Sequence, residues 1–99
     1  MAVKKPKPIK PNTLQAVKTA LRISSAAFDI QEITPIIQAC LLDLKNAGVV
    51  KTDEGDPLIL RAITLYAKAN FGFLEDSEKF KRSYEMLKTS LCLAGDYNA

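Results

Sequence analysis

The residues of this chain that could do chemistry are few, and their spacing argues against most of it. Asp53, Glu54 and Asp56 surround Gly55. Carboxylates around a glycine are how a calcium loop begins, because a hard cation takes several oxygen ligands in a tight turn. An EF-hand loop needs more oxygen ligands and a distal glutamate, and this segment lacks them. The plainer reading is a solvated turn whose last acid caps the next helix. Cys40 and Cys92 are the two cysteines, and there is no histidine. Two thiolates alone cannot complete an ordinary four-ligand zinc site. Both cysteines sit in apolar helical patterns and read as buried free thiols acting as small hydrophobes.

Catalysis fares no better. The commonest general base is missing with histidine. The four glycines are scattered at 48, 55, 72 and 95, so no phosphate-cradling loop forms. No serine or cysteine stands in a nucleophile motif, and paired carboxylates occur only at caps and turns. The reading is a protein that is not an enzyme, takes no cofactor, metal or small-molecule substrate, and works by binding other macromolecules.

The remaining chemically pointed group is a set of lysines. Residues 1–11 hold Lys4, Lys5, Lys7 and Lys10, no acid, and three of the five prolines. Spaced lysines repel and proline removes backbone donors, so neither helix nor sheet is favoured. This segment reads as a flexible basic arm able to lie on DNA phosphates or on a partner's acidic surface. The net charge of +3 belongs to it: without these four lysines, ten basic residues face eleven acidic ones.

The rest of the chain, 12–99, reads as one domain. Ninety-nine residues with 47% apolar and 25% charged composition fit a single globular core. No stretch reaches the ~20 apolar residues that a membrane span needs. No apolar run follows the first lysines either, so no secretory signal is expected. The periodicities predict an all-α, compact four-helix bundle-like domain with helices at about 13–23, 29–47, 57–72 and 77–94.

Helix one carries Leu14, Val17 and Leu21 on one face, with Asn12 or Thr13 as its cap. Helix two carries Ile30, Ile33, Ile37, Cys40 or Leu41, Leu44 and Ala47 as a stripe, ending at Gly48. Its start has two readings. Asp29 can cap, with Glu32 reaching back and a bend at Pro35; or Thr34 caps with Pro35 at the first position. The first is preferred, because Ile30 and Ile33 already keep the period. Asp56-Pro57 is a strong start for helix three, which is apolar nearly all round apart from Arg61, Thr64 and Lys68. Such a helix must be covered on most sides, by its own bundle or by another subunit. In helix four Phe80, Tyr84, Leu87, Leu91 and Ala94 make a seam, Asp76 or Ser77 caps, and Glu78–Arg82 and Lys81–Glu85 are i,i+4 pairs. The last residues read as too short to fold alone.

A helix-turn-helix DNA reader, or another small DNA-associated or regulatory protein, is the main alternative. Helices three and four are joined by a short glycine-containing turn. A recognition helix needs exposed basic or amide side chains at its start. Here Lys79, Lys81 and Arg82 are interleaved with Glu75, Asp76 and Glu78, which repel phosphate.

Two blocks carry a resemblance. One is Asp56-Pro57-Leu58-Ile59, Arg61-Ala62 and Tyr66-Ala67-Lys68-Ala69-Asn70-Phe71-Gly72. The other is Phe80, Ser83-Tyr84-Glu85, Leu87-Lys88 and Leu91, closing on Gly95-Asp96-Tyr97-Asn98. With Leu21-Arg22-Ile23 and the run 43–49 they cover about residues 13–98, and they resemble the head–tail connector, or head-completion adaptor, family of long-tailed phages and prophages. The resemblance implies a structural virion protein of the neck, made in the host bacterial cytoplasm. It implies a homo-oligomeric ring that docks on the portal protein after DNA packaging. Such a ring receives a downstream neck or tail protein, with non-specific contact to DNA in the channel. A ring needs two different patches per subunit. Leu65, Tyr66, Phe73, Met86 and Leu93 are the candidates for subunit contacts, and Lys4, Lys5, Lys7 and Lys10 for contact with a partner or DNA.

Overall fold

A computed structural model describes residues 9–71 and 76–98, without the side chain of Ile30. The elements are α1 (Pro11–Leu21), a 3-10 turn (Ala26–Phe28), a π turn (Asp29–Ile33), α2 (Thr34–Ala47), α3 (Pro57–Asn70), α4 (Ser77–Leu93) and a short α5 (Gly95–Asn98). No strand occurs among the described residues, and the chain is all-α.

Pairings across the bundle give its topology. Lys10, before α1, meets Glu54, before α3, while Phe28 after α1 stacks edge-on against Phe71 after α3. The two helices therefore point the same way. Cys40 meets Tyr84, Asp43 meets Lys88, and Ala47 meets Cys92, so α2 and α4 also run parallel. Tyr66 against Tyr84 and Lys68 over Phe80 set α3 antiparallel to α4. The result is an up-down-up-down bundle.

α3 is its centre. It packs on α1, α2 and α4, and buries Ile59, Ala62, Ile63, Leu65 and Ala67. The helix that is apolar nearly all round is thus covered mainly from within the chain, and Leu58, 46% exposed, is the large apolar residue it leaves open. Val17, Ile33, Ile37, Cys40, Leu44, Val49, Tyr84 and Leu91 complete the buried core.

Several local expectations need correction. α1 starts at Pro11 after Lys10, with no side-chain cap from Asn12 or Thr13. Asn12 and Thr13 lie inside the helix, past its capping position at Lys10, and Thr13 is buried. α1 stops at Leu21, where Arg22 takes φ 60° and closes the helix as a left-handed cap. The second helical stretch does start at Asp29, but as a π turn in which the Thr34 amide reaches back to the Asp29 carbonyl. Pro35 has no amide to offer, and its ring presses on the carbonyl four residues back in an α turn; the wider turn ahead of it relieves that demand. Asp29 does not cap and Glu32 does not reach back; the Asp29 carboxylate is taken by Lys18 of α1. Gly48, at φ 108°, occupies the left-handed stop position where other residues are strained. Asp76 precedes α4 with its carbonyl rather than its side chain bonded, to the amide of Phe80. Glu78–Arg82 and Lys81–Glu85 do not pair among the described residues; Lys88 holds Glu85 instead.

Candidate subunit interface

The sequence-derived candidates separate by exposure. Leu65 lies in the core at 4% exposure, where its contacts are internal to the chain. Tyr66 is half-buried and stacks edge-on to Tyr84, with ring centroids 5.0 Å apart. Met86 and Leu93 are 73% and 79% exposed, the two most open large apolar side chains described. Phe73, Lys4, Lys5 and Lys7 fall outside the described residues. Lys10 is exposed, donates its amide to Glu54 Oε1 at 3.1 Å, and sets its ammonium 3.8 Å from Asp53.

Helix geometry explains the outer face of α4. Tyr84, Leu91 and half-buried Phe80 and Leu87 point into the bundle. At ~100° per residue, Lys79, Arg82 and Met86 fall within about 60° of one another on the opposite side. At the same pitch Glu78 borders the strip about 40° from Arg82, and Glu85 lies about 60° beyond Arg82 on the side where Lys88 holds it. Among the described residues Lys79 and Arg82 form no ion pair.

Between α2 and α4 lies a polar network. Tyr84 donates its hydroxyl to Asp43 Oδ2 at 2.6 Å, and the Lys88 ammonium reaches the same oxygen at 3.0 Å. Cys40 Sγ donates to the Tyr84 oxygen at 3.9 Å. Burial raises the Asp43 carboxyl, but the bonds from Tyr84 and Lys88 and the ammonium charge outweigh it, holding the group below its ordinary value. Burial pushes the Cys40 thiol up to about 12, so it stays protonated and unreactive. Burial, together with the Asp43 bond, also raises the Tyr84 phenol. Periodicity placed Tyr84 and Cys40 in the core but carried no sign of Asp43 as their shared acceptor.

A second cluster gathers at the 53–56 loop. Asp56 accepts from the amides of Leu58 and Ile59, the expected cap. It also accepts from the Tyr97 hydroxyl, at 3.0 and 2.9 Å to its two oxygens. The Tyr97 carbonyl takes the amides of Val50 and Lys51, and Asn98 Nδ2 donates to the Cys92 carbonyl. These contacts fold the terminal residues that read as too short to fold alone into α5. The loop thus holds Lys10 from one side and Tyr97 from the other. Asp53 Oδ1 accepts the Gly55 amide, and among the described residues no cluster of three or more His, Cys, Asp or Glu side chains is arranged to hold a metal. No helix among them is long and apolar enough to cross a membrane.

Large apolar side chains are thus exposed at Phe28 in the 3-10 turn, Leu42 on α2, Val50 in the loop, Leu58 at the start of α3, and Met86 and Leu93 on α4. The family model for the phage connector protein matches residues 13–98. The chain belongs to that family. This connector is accordingly a phage structural protein of the connector type. No curated protein and no solved structure matches it. The match spans α1 through α5, so the Tyr97–Asp56 contact lies inside the family region of the connector.

Proposed function

We propose that this connector assembles into a homo-oligomeric ring beneath the portal, after the genome is packaged, and joins the head to the tail. The family match over residues 13–98 carries this reading. The exposure of Met86 and Leu93 supports it, because large apolar side chains in solvent mark contact surfaces. A ring of identical subunits uses two unlike patches that meet head to tail. Its outer end then offers a docking surface to the next neck or tail protein, and its bore extends the DNA path, with sliding contacts that carry no sequence preference.

Electron microscopy of the full chain, mixed with the portal protein of the same phage, tests the proposal. A closed ring of extra density on one end of the portal is the expected result. A portal that remains bare at saturating connector concentration sinks it. Steep, salt-sensitive binding of naked DNA at micromolar concentration or below would favour a DNA-associated protein instead.

A further inference from the structure

The ring reading leaves open which two patches meet. The first candidate is the outer strip of α4, where exposed Met86 follows Lys79 and Arg82 by two turns and one turn, and these two cations form no ion pair among the described residues. The second lies at the 50–58 turn. Val50 is 57% exposed and Leu58 46% exposed. Both adjoin Tyr97: the Val50 amide bonds its carbonyl, and the Leu58 amide shares Asp56 with its hydroxyl. Around this second apolar pair stand Asp53, Glu54, Asp56 and Asp96, offset in part by Lys10 and Lys51.

These two patches match in kind and oppose in sign. Each carries exposed apolar surface, Met86 on one and Val50 with Leu58 on the other. One is flanked by cations that form no ion pair among the described residues; the other carries an excess of carboxylates. They also sit toward opposite ends of the molecule. α4 runs away from its Lys79 end to the end that carries α5, and α5 is where Tyr97 meets the 53–56 loop. Neither patch can face its own copy across a two-fold axis without setting like charges together. Head to tail, the same surfaces complement each other, which is the heterologous arrangement that generates rings.

We propose that the Lys79–Arg82–Met86 strip of one subunit docks on the Val50–Leu58 patch and the acidic loop at Asp53 and Glu54 of the next copy. This rests on the ring reading and assigns its two faces. The contact places the cations of α4 against the carboxylates of the loop and covers Met86 with Val50 and Leu58.

Charge exchange between full-length chains tests it. One variant carries Lys79→Glu with Arg82→Glu, and the other Asp53→Lys with Glu54→Lys. Circular dichroism first establishes that both are folded. Self-association is then measured by analytical ultracentrifugation at low salt, and ring formation on the portal by electron microscopy. Each variant alone should assemble at least roughly tenfold more weakly than the unaltered chain, since like charges then face each other. An equimolar mixture should recover assembly, because each altered face meets its complement on the other variant. Two folded variants that assemble as the unaltered chain does, or a mixture that recovers nothing, overturn the pairing while the ring reading stands. An unaltered chain that stays monomeric both alone and with portal overturns the ring reading, and the pairing with it. Loss of salt-sensitive DNA binding in the α4 variant, with assembly intact, overturns the pairing and gives the strip to nucleic acid.

Discussion

The hydroxyl of Tyr97 donates to both oxygens of Asp56, at 2.9 and 3.0 Å, while the same carboxylate caps α3 through Leu58 and Ile59. One side chain thereby starts the central helix and anchors the last one. Tyr97→Phe removes the anchor and spares the cap. It should speed hydrogen exchange at the Val50 and Lys51 amides, which depend on the Tyr97 carbonyl, and lower Tm slightly. Asp56→Ala removes both functions and should lower Tm further. Equal exchange rates at Val50 and Lys51 in the Tyr97→Phe chain would show that α5 is held by something else.

Stability should fall at both ends of the pH scale, for opposite reasons. Burial raises the carboxyls of Asp43 and Asp56, but hydrogen bonds to the ionised forms prevail and hold both below the ordinary 3.8. Their stabilising contribution is present above that value and is lost as pH falls through the lower folded-state values. At the alkaline end, the bond to Asp56 first and burial second raise Tyr97, and burial together with Asp43 raises Tyr84, both above the ordinary 10.0. Burial lowers Lys88, but its bonds to Asp43 and Glu85 raise it more, above 10.5. These contributions are complete below the unfolded-state values and decline above about pH 10. Thermal melts from pH 2 to 11 should give a plateau between two falling limbs. A chain as stable at pH 3 as at pH 7 contradicts the acid limb.

The Lys18–Asp29 pair should behave as a coupled unit. Its side chains are 9% and 19% exposed, with Nζ 3.1 Å from Oδ1 and hydrogen-bonded to Oδ2 at 3.2 Å. Oδ1 has no aligned hydrogen bond, so the ammonium is what compensates it. Lys18→Met alone should cost about 2–4 kcal/mol, because the carboxylate is left behind without its partner. Lys18→Met with Asp29→Leu should recover most of that loss. Denaturant titration of the two single variants and the double variant measures the coupling; additive losses would mean that the pair is not a unit.

Tyr84→Phe keeps the ring packed on Tyr66 and deletes only the hydroxyl between Cys40 and Asp43. A loss of about 1.5–3 kcal/mol is expected, the range for a hydrogen bond to a charged acceptor. Ile63→Ala, fully inside the core, should cost about 2–5 kcal/mol through the cavity it opens. If urea unfolding ranks Tyr84→Phe as the more damaging of the two, the polar network outweighs core packing.

The helices were legible because their signals are local. Asp56-Pro57 before α3, Gly48 after α2 and the Phe80–Leu91 seam are each written within one turn or one face, and each stands where expected. The π turn was not legible as such, since a proline signals only that the ordinary turn ahead of it is disturbed. Lys18 within α1 looks like any surface lysine until Asp29 is seen to fold back onto it. The same holds for Asp43 and Tyr97, whose partners lie more than forty residues away in sequence. For the candidate interface, hydropathy alone did not separate Leu65 from Met86. The difference is one of rotation about a helix, and it emerges only when the neighbouring helices are in place.

The convergence of Lys10 and Tyr97 on one four-residue turn makes the covalent path nearly circular, closed by noncovalent contacts at 53–56. Where such a path is cut matters less than which residues meet. A permuted chain, with residues 9 and 98 joined by a short glycine-serine bridge and new ends opened elsewhere on the surface, keeps every helix–helix contact of the bundle. It also gives an engineer a connector whose free ends emerge away from the acidic loop, so that a label or tether can be attached without crowding that face.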